Sequence, residues 1–268
     1  MGNYRITVQY DGSRYKGWQV QKKEEATIQG KLQKVLESLT GDPVEVIGSG
    51  RTDAGVHALG QQASFHLEED IALGPLLEAG LIGSGEAFEL GLLRWMNRYL
   101  PQDIAVTEVK KVSGRFHARY NAASKTYRYR IHTSPIPDVF ARNYTYTYTD
   151  LPLDIEAMKR AAEGLLGTHD FASFCGNRHM KKSTVRSIYS IEIREIRDEK
   201  DRQKEIVIDY TGDGFLQNMV RILTGTLIEV GSGRRDPESM GEILETKDRT
   251  AAGYTAPAQG LTLLKVDY

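Results

Sequence analysis

Disulfide chemistry is the first thing this sequence leaves out. Its 268 residues contain one cysteine, Cys175, which cannot form an internal disulfide. A chain with no cross-link fits a reducing compartment, and a cytoplasmic location is expected. No apolar run approaches the ~20 residues that cross a bilayer, so no membrane role is expected. Met1 to Tyr10 passes straight into a strand pattern without the apolar stretch of a signal peptide. The myristoylation pattern after Gly2 asks for Ser or Thr at position 6 and meets Ile6. Net charge is nearly absent too: 35 Lys and Arg against 36 Asp and Glu leave −1. That excludes a globally basic nucleic-acid binder but not a local one, because phosphate responds to local potential. The six histidines and one cysteine show no metal-ligand spacing.

What is present is an ordinary globular composition, 40% hydrophobic and 26% charged, in a chain long enough for one large domain or two medium ones. Positive charge gathers at Lys22-Lys23, Lys110-Lys111, Arg115 to Arg130, Arg178 to Arg186 and Arg234-Arg235. Acidic blocks at Glu24-Glu25, Glu68 to Asp70 and Asp198 to Asp201 offset it. Composition permits RNA binding without requiring it.

Periodicity divides the chain into alternating strands and helices. Tyr4 to Tyr10 alternates as a strand. Arg14 to Gln19 mixes cations, aromatics and a glycine, and Trp18 there suits either a stacking loop or the core. Thr27 is a good N-cap for a helix carrying Ile28, Leu32, Val35, Leu36 and Leu39, stopped by Gly41-Asp42-Pro43. Strands are expected around Val44 to Ile47 and Gln61 to Leu67. Residues 68–91 are acidic, then Leu- and Gly-rich, with a short helix over Ile71 to Leu81 and a turn at Gly83-Ser84-Gly85. Phe88 to Tyr99 reads as a firmer helix, and Asp103 to Val109 as a strand. Lys125 to His132 puts Lys125, Tyr127, Tyr129 and Ile131 on one face, Arg128, Arg130 and His132 on the other. Tyr144, Tyr146 and Tyr148 mark a further strand. Helices follow from Ile155 to Leu166 and from Phe215 to Val230, with strands at Val185 to Ile196, Glu205 to Tyr210 and Leu261 to Val266.

One loop concentrates chemistry. Gly48-Ser49-Gly50-Arg51-Thr52-Asp53-Ala54-Gly55-Val56-His57-Ala58 lies between two of these strands, and its glycines at 48, 50 and 55 permit tight turns or close approach to a ligand. It carries one cation, Arg51, and one carboxylate, Asp53, two residues apart. No Lys-Ser/Thr follows, so it is not a Walker loop, and the third glycine of the dinucleotide fingerprint is missing. Locally the stretch suits either an Asx turn or a reactive loop on a strand scaffold.

Gly50-Arg51-Thr52-Asp53-Ala54-Gly55-Val56-His57-Ala58 closely resembles the active-site loop of the tRNA pseudouridine synthase A family. Tyr10-Asp11-Gly12-Ser13 with Gly17-Trp18-Gln19, Phe116-His117-Ala118-Arg119, Lys125 to Tyr129, Asp170-Phe171 with Ser173-Phe174, and Asn218-Met219-Val220-Arg221 fall in the same family order. The resemblance runs from about residue 4 to the end. It implies an α+β fold of two ferredoxin-like, RRM-like halves fused through a mostly antiparallel central sheet, with helices on one side and the active cleft across the sheet. The halves are expected at 1–112, carrying the aspartate loop, and 113–268, carrying the arginine helix.

The implied function is isomerisation of uridine to pseudouridine at positions 38–40 of the tRNA anticodon arm. Asp53 would be the catalytic nucleophile or base. Arg51 would hold RNA at the vacated base position, Tyr127 would stack on the uracil, and Arg221 would supply the fixed cation that keeps Asp53 ionised. Taken alone, Tyr127 equally suits a core aromatic and Arg221 a surface arginine. His57, four residues after Asp53, is read as structural. The uracil is both leaving group and nucleophile, so no cofactor and no metal are expected. The implied partners are the anticodon stem-loop of tRNA and a second copy of the chain, in a homodimer. An RNA chaperone without catalysis and a hydrolase built on Asp53 are the other readings. Asp53, Tyr127 and Arg221 argue against the first, and the lack of a partner acid argues against the second.

Overall fold

A computed structural model describes residues 1–21, 26–83, 85–177, 179–197, 199 and 203–268. Lys22-Lys23, Glu24-Glu25, Ser84 of the expected turn, Arg178, and Asp198, Lys200 and Asp201 of the last acidic block lie outside the described residues. The fold is α+β with mostly antiparallel strands, and the chain forms two compact units: Met1–Ala123 with Leu263–Tyr268, and Ser124–Thr262.

The first unit begins with β1 (Gly2–Tyr10), whose Tyr4, Ile6, Val8 and Tyr10 are buried on alternate positions. Helix α1 (Ile28–Thr40) starts where Thr27 accepts the Gly30 N–H, and ends at Gly41 in the left-handed region. Its Ile28, Leu32, Leu36 and Leu39 are buried at the expected helical spacing. Only Ile47–Gly48 pairs as β2, so the strand expected over Val44 to Ile47 is mostly irregular chain. Val44 and Val46 are nevertheless buried. β3 (His57–Leu67) starts four residues earlier than expected and pairs antiparallel with β1 and β2.

Residues 69–78 form α2 (Glu69–Glu78), anchored by buried Ala72 and Leu76. Helix α3 (Phe88–Tyr99) buries Leu92, Trp95 and Met96, and Trp95 donates its indole N–H to the Val35 carbonyl of α1. β4 (Ile104–Val112) pairs antiparallel with the free side of β1.

The second unit opens with β5 (Ser124–His132). The expected tyrosine strand is reduced to β6 (Tyr146–Thr147), which lies parallel to the end of β5. Of the tyrosines expected to mark that strand, Tyr148 is buried and Tyr144 exposed. Helix α4 (Ile155–Glu163) starts at the Asp154 N-cap. Then come β7 (Gly167–Asp170), β8 (Val185–Arg197) and β9 (Gln203–Gly212), giving an antiparallel order β5-β9-β8-β7.

Helix α5 (Met219–Gly231) is buried along nearly its whole length. It starts later than the apolar period suggested, because Asn218 sits at φ 59, a left-handed conformation that interrupts the helix. Helix α6 (Met240–Thr246) follows, and β10 (Leu261–Asp267) leaves the second unit and ends in the first.

Candidate active site

Asp53 and Arg51 belong to the first unit, on the loop between β2 and β3; Tyr127 and Arg221 belong to the second. Asp53 is half-buried and Arg51 exposed, while Thr52 between them is buried. This alternation turns two charged side chains outward and one hydroxyl into the core.

The inward hydroxyl is the key to how the loop is held. Thr52 Oγ1 lies 2.8 Å from the Tyr10 hydroxyl, wholly inside the unit. Burial pushes the Tyr10 phenol up to about 12, against the pull of hydrogen bonds from Thr52 and Gln61, so the phenol stays neutral near pH 7. Gln61, on β3, donates to the Gly50 carbonyl at 3.0 Å and accepts from the Ser49 hydroxyl at 2.7 Å. The Ser49 N–H reaches the Gln62 carbonyl at 2.7 Å. Buried polar groups matched in this way fix a loop, since leaving one of them unpaired costs about 1–3 kcal/mol.

A second brace comes from the segment after β1. The Trp18 N–H donates to the Thr52 carbonyl at 3.0 Å, and the Gly55 N–H to the Tyr15 carbonyl at 3.3 Å. Trp18 is 1% exposed, which decides its reading: it is core, not a stacking platform. Its indole rests on Gly48, where a Cβ would stand 2.5 Å from the ring. Gly48 is therefore there for packing rather than for approach to a ligand. Gly17, at φ +94, would place a Cβ 2.7 Å from the Thr52 carbonyl oxygen and 3.2 Å from the Asp53 carbonyl carbon. Arg51 Nε donates to Gln19 Oε1 at 3.0 Å, so the same segment also orients the exposed guanidinium.

His57 is buried, with Nδ1 accepting the Gly12 N–H at 3.1 Å and lying 3.2 Å from Asp11 Oδ1. That nitrogen ties the turn after β1 to the start of β3.

In the second unit Tyr127 sits on β5 opposite Tyr210 of β9, 7% exposed, with its ring edge-on to Phe215 at 5.3 Å. Arg221 is in the first turn of α5. Its Nε donates to the Ala256 carbonyl at 2.7 Å and its Nη1 to Asn218 Oδ1 at 2.9 Å. The left-handed Asn218 thus both starts the helix and holds the arginine. This is a positioned guanidinium, not an arginine trailing in solvent.

The resemblance pointed to Tyr10, Gly17, Trp18 and Gln19 only as parts of a motif. Their roles under the loop follow from burial and contact. Gln61 carried no sequence signal beyond its place in a strand.

With this geometry in place, comparison with known proteins is informative. The tRNA pseudouridine synthase family matches residues 6–121 and 161–268. A "tRNA pseudouridine synthase A" of Bacillus sp. (strain KSM-64) is 45% identical over 268 residues, covering 100% of both chains. A "tRNA pseudouridine synthase A 2" of Bacillus anthracis is 41% identical over 268 residues, again covering 100% of both. Among solved structures, "Crystal Structure of a Cbf5-Nop10-Gar1 Complex" superposes with a TM-score of 0.36 at 11% identity, over 97% of this chain and 48% of that one. The chain belongs to the tRNA pseudouridine synthase family. Full-length agreement with the relatives narrows the activity to that of tRNA pseudouridine synthase A, an isomerase that modifies tRNA.

Proposed function

We propose that the chain converts uridine to pseudouridine at positions 38–40 of the tRNA anticodon arm, with Asp53 as the catalytic group. The bond from N1 to the ribose breaks, the uracil turns, C5 bonds to the same ribose carbon, and the C5 proton leaves to solvent while N1 takes up a proton. Asp53 acts as nucleophile or as base in that sequence. Arg51 holds the RNA where the base has left its stack. Tyr127 and Arg221 are the substrate-binding residues of the second unit. No cofactor enters the reaction.

The observation that carries the reading is the support of the Asp53 loop. Before the carboxylate the loop is pinned by Tyr10 on the Thr52 hydroxyl, by the Trp18 N–H on the Thr52 carbonyl and by Gln61 on the Gly50 carbonyl, and after it by the Gly55 N–H on the Tyr15 carbonyl, as a transition-state group requires. The ferredoxin-like halves are supported by strand order: in the first unit β4-β1-β3-β2, with α1 after β1 and α3 before β4, follows that pattern. The second unit has β5-β9-β8, with α4 before β8 and α5 after β9. The enzyme works as a homodimer, which light scattering at assay concentration tests; a fully active monomer would refute it.

Tritium release from C5-labelled uridine in unmodified tRNA tests the chemistry, with the modified positions mapped afterwards. Release without loss of the base is expected. Asp53→Asn should abolish release while tRNA binding survives, because affinity comes mainly from phosphate contacts. Tens of per cent residual turnover would remove Asp53 from the mechanism.

A further inference from the structure

The motif Phe116-His117-Ala118-Arg119 has no part in the site described above, yet it forms a rigidly tied turn. Asn3 of β1 donates its side-chain N–H groups to the Ser113 and Phe116 carbonyls at 2.8 and 2.9 Å. The Ala118 N–H reaches the Ser64 hydroxyl of β3 at 3.1 Å, and the Tyr268 hydroxyl donates to the Ala118 carbonyl at 2.9 Å. The Phe116 ring packs on Tyr268 at 5.0 Å. His117 locks the far side: its Nδ1 accepts the Arg119 and Tyr120 N–H groups at 3.1 and 3.3 Å, which leaves the ring proton on Nε2. Asn121 closes the turn in both directions, accepting from the His117 N–H and donating its own N–H to the His117 carbonyl.

This scaffold displays three side chains. Tyr120 is 78% exposed, with its ring beside the His117 ring at 4.2 Å between centroids. Arg115 and Arg119 are exposed and form no ion pair among the described residues. Arg128 and Arg130, in the same basic run, are each held by a carboxylate, Asp209 and Glu205. An aromatic ring held in water on a preordered backbone gains nothing for the fold. It is, however, ready to stack on a flat ring without an ordering cost. The turn shares a unit with the Asp53 loop: Ser64, which anchors it, lies on β3, the strand that follows that loop.

We propose that the 113–121 turn is an RNA contact surface: Tyr120 stacks on an unpaired base of the bound tRNA, and Arg115 and Arg119 meet the flanking phosphates. The inference rests on tRNA being the substrate, and it assigns RNA contact within the 115–130 run to its first three exposed side chains. Equilibrium binding of an unmodified tRNA transcript across a salt series tests it, together with single-turnover tritium release at saturating enzyme. Tyr120→Ala should weaken binding about tenfold, within the range of one base–aromatic stack, and Tyr120→Phe should restore it. Arg119→Gln should flatten the dependence of log affinity on log salt by ~0.7–0.9, the share of one phosphate. Rates at saturation should match wild type in all three.

Unchanged affinity in Tyr120→Ala together with an unchanged salt slope in Arg119→Gln overturns the proposal. So does a Tyr120→Ala variant that changes the mass of the assembly by light scattering while keeping its tRNA affinity, since the turn would then be a protein contact. If wild type binds tRNA but releases no tritium, it is the catalytic reading that fails, and the binding arms still decide this one.

Discussion

Substituting alanine for Gly17 probes the support of Asp53 with a built-in control at Gly41. Both glycines have positive φ, +94 and +78. A Cβ in that region costs roughly 1–2 kcal/mol at either position. At Gly41 the added Cβ meets nothing within 4 Å, so strain is the whole cost. At Gly17 the Cβ would lie 2.7 Å from the Thr52 carbonyl oxygen, an oxygen that already accepts the Trp18 N–H at 3.0 Å. Neither partner can swing away: one is backbone and the other belongs to a buried tryptophan. Overpacking of this kind adds about 1–3 kcal/mol, giving a total near 2–5 kcal/mol.

For a chain of this length each kcal/mol lowers Tm by ~2–4 °C, so thermal unfolding should separate the two variants clearly. The chemical consequence should be larger than the thermal one. Relief of the clash pushes residues 52–54 outward, and about 1 Å of misplacement can cost ~100-fold in rate. Folded Gly17→Ala should therefore lose most single-turnover tritium release, while Gly41→Ala keeps it. Equal melting shifts, or wild-type turnover in folded Gly17→Ala, would refute the argument.

The buried hydroxyl pair gives a finer test. Tyr10→Phe strands Thr52 Oγ1 and should cost about 1–3 kcal/mol in urea unfolding. Its kcat should fall while KM holds, and a variant in which KM alone changes would remove Tyr10 as a positioning residue. Tyr127→Phe keeps the ring and its packing on Phe215, so tRNA should bind normally and turn over slowly; wild-type rates would reduce Tyr127 to a packing residue. In the second unit, burial raises the Asp209 carboxyl, but hydrogen bonds and charge from Arg128, with the charge of Arg194, outweigh it and hold it below its ordinary value. A depressed folded value contributes stability that is complete above the unfolded value of ~3.9 and is lost as pH falls through the folded one. Asp209→Asn should thus be about 1–3 kcal/mol less stable than wild type at neutral pH, with the gap narrowing below ~pH 3.9. A gap independent of pH in urea titrations would exclude this ion pair as its source.

Elements set by local chemistry were legible in the sequence. Helix α1 follows from the Thr27 cap, five apolar residues at helical spacing and Gly41, and it starts and stops where those signals say. Elements that depend on a partner strand were less so. Val44 to Ile47 has β-branched residues at alternate positions, yet of these four only Ile47 pairs with β3. Tyr144 to Tyr148 alternates as a strand should, but only Tyr146 and Thr147 pair with β5. Alternation says which side chains want burial; it does not say whether a neighbouring backbone is in reach. The start of α5 was hidden for a third reason, since a left-handed Asn218 leaves no mark in a hydrophobic period.

The same distinction governs the candidate site. Asp53 and Arg51 were found because a short motif carries them, whereas Gln61 acts through a contact that bridges eleven residues of chain, to Gly50.

Charge shows how an almost neutral chain can still suit RNA. Ion pairs already commit many of its cations: Arg128 to Asp209 and Arg130 to Glu205 across β5 and β9, Lys110 to Glu108 along β4, and Lys111 to Glu69 of α2. A phosphate arriving at any of these must compete with a carboxylate already in place, so they add little to affinity. Arg51, Arg115, Arg119, Lys181 and Lys182 are exposed and have no carboxylate partner among the described residues. Counterion release counts cations that can reach a phosphate, and the net charge of the chain does not enter it. The −1 total and an RNA substrate are therefore compatible. The Arg115 to Arg130 run, uniform in the sequence, divides in the structure into arginines that hold the sheet and arginines that remain available to a polyanion.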